Sequence, residues 1–184
     1  AIRVDASARI GIGHVKRCLA LATAICAKGA GDVLFVTRAL GSTAEQLLRS
    51  AGYAVEVLPV PKEDEFPASE ITVPPHLAWA GVGQAVDAAE TIERISSWCP
   101  DWVLVDHYAF DSQWQDTIRA ATGARLAALD DLADRSLSVD LLVDHNICAD
   151  HHAKYVGRLP LNVRLLGGPA FALVDPVYAG APRY

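Results

Sequence analysis

Short apolar runs alternate with amphipathic segments along most of the chain. Each apolar run is continuous, as in strands that are buried on both faces of a parallel sheet. The segments between them show helical spacing of apolar residues or are bounded by capping and helix-breaking residues. The predicted strands are Ile2–Asp5, Val33–Thr37, Val55–Leu58, Trp102–Val105, Arg125–Leu129, Leu141–Val143 and Val163–Leu166, and the predicted helices are Val15–Lys28, Thr43–Ala51, Gln84–Trp98, Gln113–Ala121 and Asp150–Gly157.

This alternation predicts an α/β fold. Strands that are joined through helices form right-handed βαβ units, and these build a parallel sheet with helices on both faces. We therefore expect a Rossmann-like domain. The stretch from Pro59 to Pro75 is rich in proline and acidic residues, and it is predicted to be a loop.

The turn between the first strand and the first helix carries the most informative motif, Gly11-Ile12-Gly13-His14-Val15-Lys16-Arg17. A glycine-rich turn lets a ligand approach the backbone, and a helix start offers unpaired N–H groups and a positive dipole end. That dipole disfavours the protonated form of His14, which makes it a candidate base, and Arg17 lies one turn further on the same side. A plain strand–turn–helix corner with a solvated histidine explains the motif equally well.

Four of the apolar runs are followed directly by an aspartate: Asp5, Asp106, Asp130 and Asp144. Ligands of open parallel sheets bind outside the carboxyl ends of the strands, so these side chains should converge on one rim with the glycine-rich turn. Asp106-His107-Tyr108 places three polar groups at one strand end, which favours a functional role. For Asp111 and Asp131, a helix cap or a loop anchor is the favoured interpretation.

Composition narrows the class of protein. The 184 residues are 52% hydrophobic and 21% charged, which is typical of a packed globular protein. The net charge of −6 and the lack of a Lys/Arg block argue against nucleic acid as a partner. No apolar run approaches the roughly 20 residues of a membrane helix. The four cysteines form no C-x-x-C pair, so we expect reduced thiols, a cytoplasmic location and no metal site.

Other functional motifs fit the sequence less well. No G-x-S-x-G nucleophile elbow is present, and the glycine-rich turn lacks the third glycine of a dinucleotide fingerprint. The pair His151-His152 has no metal-ligand spacing. Trp79 is expected to pack at an element end, with stacking on a sugar face as the less favoured alternative.

Taken in order, a set of short motifs resembles one enzyme family. The matching pieces are Arg3-Val4-Asp5, Gly11–Arg17, His76-Leu77-Ala78-Trp79, Val105-Asp106-His107-Tyr108, Asp130–Arg135, Asp140-Leu141-Leu142, Asn146 and Gly168–Leu173. The chain resembles the UDP-2,4-diacetamido-2,4,6-trideoxy-β-L-altropyranose hydrolases of the pseudaminic acid pathway. These are relatives of the peptidoglycan glycosyltransferase that adds N-acetylglucosamine to lipid I.

The resemblance implies a GT-B-type enzyme, in which two Rossmann-like domains face a cleft. Water attacks the anomeric carbon of a UDP-linked amino sugar, the C–O bond breaks with inversion, and UDP is released without a metal or cofactor. The general base of the family corresponds to His14, and Tyr108 lines the same site. At the rim, the residues expected to contact the substrate are Asp5, Gly11, Gly13, Arg17, Asp106 and His107.

The resemblance also implies a division of labour between domains. Residues 1–178 are expected to form the sugar-facing, catalytic domain, and residues 179–184 the start of an interdomain linker, without the nucleotide-binding domain. Two alternatives stay open: half of a glycosyltransferase that works with a separate nucleotide-binding chain, and a non-catalytic binding module. The lack of a basic amphipathic helix disfavours the first, and the presence of both His14 and Tyr108 disfavours the second.

Overall fold

A computed structural model describes residues 1–41, 43–61, 74–175 and 177–178. Seven parallel strands form one sheet in the order β3-β2-β1-β4-β5-β6-β7, which confirms the α/β, Rossmann-like prediction. The strands are β1 (Ile2–Val4), β2 (Leu34–Arg38), β3 (Ala54–Leu58), β4 (Trp102–Asp106), β5 (Arg125–Leu129), β6 (Leu141–Asp144) and β7 (Arg164–Gly167). The helices are α1 (Gly13–Ala27), α2 (Thr43–Ser50), α3 (Gln84–Ile95), α4 (Ser112–Thr122) and α5 (His151–Lys154).

The two faces of the sheet are covered by different helices. On one face, Val15 and Cys18 of α1 and Leu48 of α2 pack with strand residues such as Phe35. On the other, α3 and α4 bury Ile95 and Trp114, among others. Continuous apolar strands suit this double cover, because both faces of each strand are removed from water.

Two predicted helices are shorter than expected. Helix α3 ends at Ile95 and passes into a 3-10 turn at Ser96–Trp98, and Cys99 then takes a left-handed φ of 48°. Helix α5 begins after Asp150, whose side chain accepts a hydrogen bond from the backbone N–H of Ala153, and it spans only His151–Lys154. Of the predicted loop from 59 to 75, residues 62–73 lie outside the described part of the chain, as do residue 42 and residues 179–184.

The order of the strands determines where a ligand can approach. The chain runs outward from β1 to β3 and then crosses to β4 on the other side of β1, so β1 and β4 are neighbours at the point where the order reverses. Parallel sheets of this kind bind ligands in the crevice at that point, outside the carboxyl ends of the strands. The glycine-rich turn follows β1 there, and Asp106 ends β4 beside it. Within the described residues, no helix combines the length and apolarity needed to cross a membrane.

Candidate active site

His14 and Asp106 form a close pair across the β1–β4 crevice. Helix α1 begins at Gly13 and therefore holds His14 in its first turn, where the imidazole Nδ1 lies 2.6 Å from the Oδ1 of Asp106. Asp106 is completely buried. Because an ionised carboxylate can only accept hydrogen bonds, the proton lies on Nδ1, and the Nε2 of the neutral ring keeps its lone pair. This tautomer is the one in which His14 can act as a base.

Arg17 holds the same carboxylate from one helical turn further along α1. Its Nε donates to Asp106 Oδ2 at 2.6 Å, and its Nη2 donates to Asp106 Oδ1. Burial alone would raise the pKa of Asp106, but the hydrogen bonds from Arg17 and His14 outweigh it and lower this pKa to about 2. Asp106 is therefore ionised at neutral pH, as its role toward His14 requires.

Tyr108 lies against the edge of the His14 ring, with the two ring centroids 4.9 Å apart. Its hydroxyl donates to Asp131 Oδ1 at 2.5 Å, and Asp131 Oδ2 accepts from Asn146 Nδ2 at 2.7 Å. Burial and the neighbouring Asp131 raise the pKa of Tyr108 above its ordinary value, so the phenol stays protonated. Asp131 anchors the Asn146 loop, as the sequence suggested, but its contact with Tyr108 was not foreseen.

Two more rings extend the site. His76 and Trp79 lie on the loop that precedes α3, with ring centroids 4.7 Å apart. Their centroids are 5.6 Å and 5.9 Å from that of Tyr108. Trp79 is half-buried at the rim. The structure therefore brings Trp79 to the site, where its partly exposed side chain can contact a ligand.

The glycine-rich turn leaves its backbone open. Gly11 has a φ of +78° and donates from its N–H to the carbonyl of Ser7 at 2.8 Å, which closes the turn before α1. A Cβ placed on Gly13 would meet nothing within 4 Å, and no side chain caps the helix start at Ile12. Both glycines are exposed, in agreement with a surface that a ligand can approach.

The expectation that Asp5 contacts the substrate needs correction. Asp5 has no exposed surface, and it lies beneath the rim. Its carboxylate accepts from the guanidinium of Arg3, the backbone N–H of Arg38 and the hydroxyl of Thr37. Although burial opposes ionisation, Arg3 and His107 hold the pKa of Asp5 far below its usual range. Asp5 therefore ties the sheet end together and does not face a ligand.

His107 and Asp106 are corrected in the same way. His107 is only 3% exposed and stacks on Phe110 with ring centroids 4.7 Å apart. Its Nδ1 accepts from the N–H of Ala109, so Nε2 carries the proton, and this nitrogen lies 3.3 Å from Asp5 Oδ2. Burial lowers the pKa of His107, which keeps it neutral. Asp106, equally buried, reaches a ligand only through His14 and Arg17.

Sequence reasoning missed a buried ion network beside Asp5. Asp87 of α3 accepts from Arg3 at 2.7 Å and from Arg38 at 2.8 Å, and the indole N–H of Trp114 donates to it at 3.0 Å. All three charged side chains are fully buried. The signal was present in the sequence. Arg3 interrupts the apolar run of β1 and Arg38 ends that of β2, while Asp87 lies at helical spacing with buried positions of α3.

The carboxylates that follow β5 and β6 also have protein partners. Asp130 lies 2.8 Å from Nη1 of Arg135, and Asp144 accepts from the ammonium of Lys154 at 2.6 Å. The hydroxyl of Tyr155 contacts both carboxylates. The predicted convergence on one rim therefore holds for position, while the chemistry available to a ligand is concentrated at His14 and Tyr108.

Two further observations delimit the site. No group of three or more His, Cys, Asp or Glu side chains in the described part of the chain is arranged to hold a metal ion. A cavity of about 570 Å³ lies at the opposite, amino ends of the strands and is lined by Ala1, Trp98 and Trp102, among others. We place the candidate site at the carboxyl rim, because His14, Arg17, Asp106 and Tyr108 lie in contact there.

No protein-family model matches the chain. A search of curated proteins found no match either.

The geometry suits proton transfer from a small nucleophile. The buried Asp106 fixes the tautomer of His14 and stabilises the imidazolium that forms when Nε2 takes a proton. Arg17 keeps that carboxylate ionised, and Tyr108 supplies a hydroxyl next to the imidazole. A water or hydroxyl group that lies between His14 and Tyr108 would thus meet a base and a polar hydroxyl together.

Proposed function

We propose that this chain is the sugar-facing, catalytic domain of a UDP-sugar hydrolase, and that its substrate is a UDP-linked diacetamido-trideoxyhexose. The observation that carries the proposal is the 2.6 Å contact between His14 Nδ1 and Asp106, which leaves Nε2 free to act as the base. The motifs that resemble the hydrolase family include both residues. The site thus supplies the base that the family's reaction requires.

In the proposed reaction, His14 Nε2 takes a proton from water while the water oxygen bonds to the anomeric carbon. The bond between that carbon and the phosphate oxygen breaks, and its electron pair leaves with UDP. Because a phosphate is a good leaving group, most of the protein's work lies in activating water and in positioning the sugar. Asp106 compensates the positive charge on His14 after the transfer.

Sugar recognition is assigned to the half-exposed rings beside the base. Trp79 and Tyr108 present aromatic surface at the rim, and the glycine-rich turn presents open backbone at Gly11 and Gly13. Aromatic faces pack on the C–H face of sugars, while backbone and side-chain polar groups bind the hydroxyl and amide groups.

Apolar side chains at the same rim support a facing second domain. Side chains on the loops that follow β1, β5, β6 and β7 are exposed: Ile12 (46%), Leu132 (38%), Ile147 (89%) and Phe171 (40%). Exposed apolar groups around a polar site are typical of a surface that another folded unit covers. We infer that a nucleotide-binding domain faces this rim.

The direct test is hydrolysis of the UDP-sugar in H₂¹⁸O by the protein in its full natural length. We expect the label in the sugar and not in UDP, because water attacks carbon. His14→Gln should abolish most of the turnover, while the matched control His152→Gln, at an exposed position of α5, should not change it. Label in the phosphate, or transfer of the sugar to an acceptor in place of water, would contradict the proposal. The second outcome would favour the glycosyltransferase alternative.

The proposal that UDP is bound mainly by the facing domain can be tested separately. Calorimetric titration of UDP into the 184-residue chain should show weak binding, because we assign most of the UDP contacts to the facing nucleotide-binding domain. Those contacts supply the binding energy that positions the anomeric carbon. A micromolar dissociation constant would place the nucleotide site in this chain and contradict that part of the proposal.

A further inference from the structure

Asp131 has no role in the reaction described so far, yet it makes a short hydrogen bond at the centre of the site. The hydroxyl of Tyr108 donates to its Oδ1 at 2.5 Å, and the side-chain amide of Asn146 donates to its Oδ2 at 2.7 Å. The ammonium of Lys154 donates to the backbone carbonyl of Asp131 at 2.7 Å. Three elements of the fold therefore hold this one residue in place.

The direction of the Tyr108 bond determines what the tyrosine can offer to a ligand. A phenol has one hydrogen to donate and two lone pairs that accept. An ionised carboxylate only accepts, so the hydrogen of Tyr108 is committed to Asp131. What remains available at the Tyr108 oxygen is acceptor capacity.

We propose that Asp131 is a positioning residue that fixes the Tyr108 hydroxyl as a hydrogen-bond acceptor toward the ligand side of the site. The group that Tyr108 contacts is then a donor: the attacking water, a hydroxyl or an amide N–H of the substrate. A water that donates one hydrogen to His14 Nε2 and the other to Tyr108 keeps a lone pair for the reacting carbon. The inference rests on the proposed function for its effect on turnover, but the hydrogen-bond direction can be measured without it.

Several other groups face Tyr108 and define its surroundings. His14 and Arg17 approach from α1, and the Arg17 guanidinium lowers the pKa of the phenol, against the effects of burial and Asp131. His76 and Trp79 flank the ring from the loop before α3, and the Arg135 guanidinium lies 5.6 Å from its centroid. The carboxylate that contacts the hydroxyl directly is that of Asp131.

Asp131→Asn should reverse the polarity of this bond. Asn146 donates to one side of residue 131, so the new amide oxygen faces Asn146 and the amide nitrogen faces Tyr108. The phenol must then accept at that position and turn its hydrogen away. With less negative charge beside it, Tyr108 should ionise at lower pH in this variant than in the native chain.

The first measurement is the titration of Tyr108 by NMR of ¹³Cζ-labelled tyrosine, with Tyr108→Phe to assign the signal. In the native chain, Tyr108 should stay protonated beyond the ordinary tyrosine pKa of about 10, and Asp131→Asn should move its titration toward that value. The exposed Asp32→Asn, which removes the same charge at the amino ends of the strands, is the control and should leave the signal unchanged. An identical Tyr108 titration in Asp131→Asn and in the native chain would overturn the proposal.

The second measurement is a double-mutant cycle on turnover. Asp131→Asn should lower kcat about tenfold in the native background and less than about twofold in the Tyr108→Phe background, because its effect passes through the hydroxyl. Equal losses in both backgrounds would overturn the positioning role. If Asp131→Asn does not fold, Asn146→Ala can replace it, because Asn146 is exposed and its removal frees one oxygen of the Asp131 carboxylate. Its effect on kcat should likewise be smaller in the Tyr108→Phe background than in the native background. A protein without hydrolase activity, in which Tyr108 titrates as expected, would contradict the proposed function and leave the Asp131 assignment intact.

Discussion

Two clusters at the same end of the sheet each contain one arginine, one aspartate and one histidine, but they differ in their exposure to solvent. We call Arg3, Asp5 and His107 the sealed trio, and Arg17, Asp106 and His14 the rim trio. In each, an arginine and a histidine contact an aspartate at the end of β1 or β4. The side chains of the sealed trio are at most 1% exposed, whereas His14 and Arg17 are 10% and 15% exposed. Access, and not residue type, separates a structural cluster from a candidate catalytic one.

The partners of each trio reinforce this difference. Arg3 of the sealed trio also binds the buried Asp87, which in turn binds Arg38. The charges of the sealed trio are therefore compensated by other protein side chains. The rim trio contacts Tyr108, a partly exposed ring next to His14. The comparison therefore predicts that changes in the sealed trio act mainly on stability and changes in the rim trio act mainly on activity.

The largest effect on stability is expected for Asp5→Ala. This change leaves the guanidinium of Arg3, the N–H of Arg38 and the hydroxyl of Thr37 without their common acceptor. Breaking a buried ion pair costs about 3–5 kcal/mol. Urea unfolding followed by circular dichroism measures the loss. A loss below about 1 kcal/mol would mean that the sealed trio is not structural.

Much of the fold could be predicted from the sequence, because alternating apolar runs and amphipathic helices are local signals. The site was predicted only in part. The position of His14 after a glycine-rich turn and that of Tyr108 after β4 are local features. By contrast, the difference between Asp5 and Asp106 depends on which arginine and which histidine fold onto each. Most of those contacts join distant parts of the chain, such as His14 and Asp106, and no local pattern specifies them.

A smaller effect, on turnover, is expected for Asp106→Asn. The amide no longer stabilises the imidazolium of His14 by its charge, and it presents a donor to Arg17 or to His14. We expect kcat to fall about 100-fold, which is the lower range for loss of general base catalysis. Steady-state kinetics on the full natural length of the protein measures it. Turnover within about twofold of the native value would show that Asp106 has no role in the reaction.

Stability should also depend on pH in the acid range, in a direction that follows from the lowered pKa of Asp106. A carboxylate whose pKa is lower in the folded state stabilises the protein above its unfolded pKa of about 4, and this contribution is lost as the pH falls through about 2. The native chain should lose about 2 kcal/mol more between these pH values than Asp106→Asn does. Equal slopes of unfolding free energy against pH would show that Asp106 is not held in its charged form by Arg17 and His14.

The smallest effect is expected for Tyr108→Phe. The ring keeps its contacts with His14 and Trp79, so the unfolding free energy should change by less than about 1 kcal/mol. Loss of the hydroxyl should lower kcat about tenfold, the value of one neutral hydrogen bond at the reacting group. A fully active variant would show that the hydroxyl has no role in the reaction. An unfolded variant would show that Tyr108 is a structural residue.

The most direct test of the account is the turnover of His14→Ala in the protein of full natural length, measured together with its unfolding free energy. The side chain of His14 is 10% exposed, and Arg17 still holds Asp106 when the imidazole is removed, so stability should change by no more than about 2 kcal/mol. If His14 is the base that the rim trio positions, kcat should fall by about 10²–10⁴. A folded variant with turnover within about twofold of the native value would contradict the central claim that the rim trio carries the reaction.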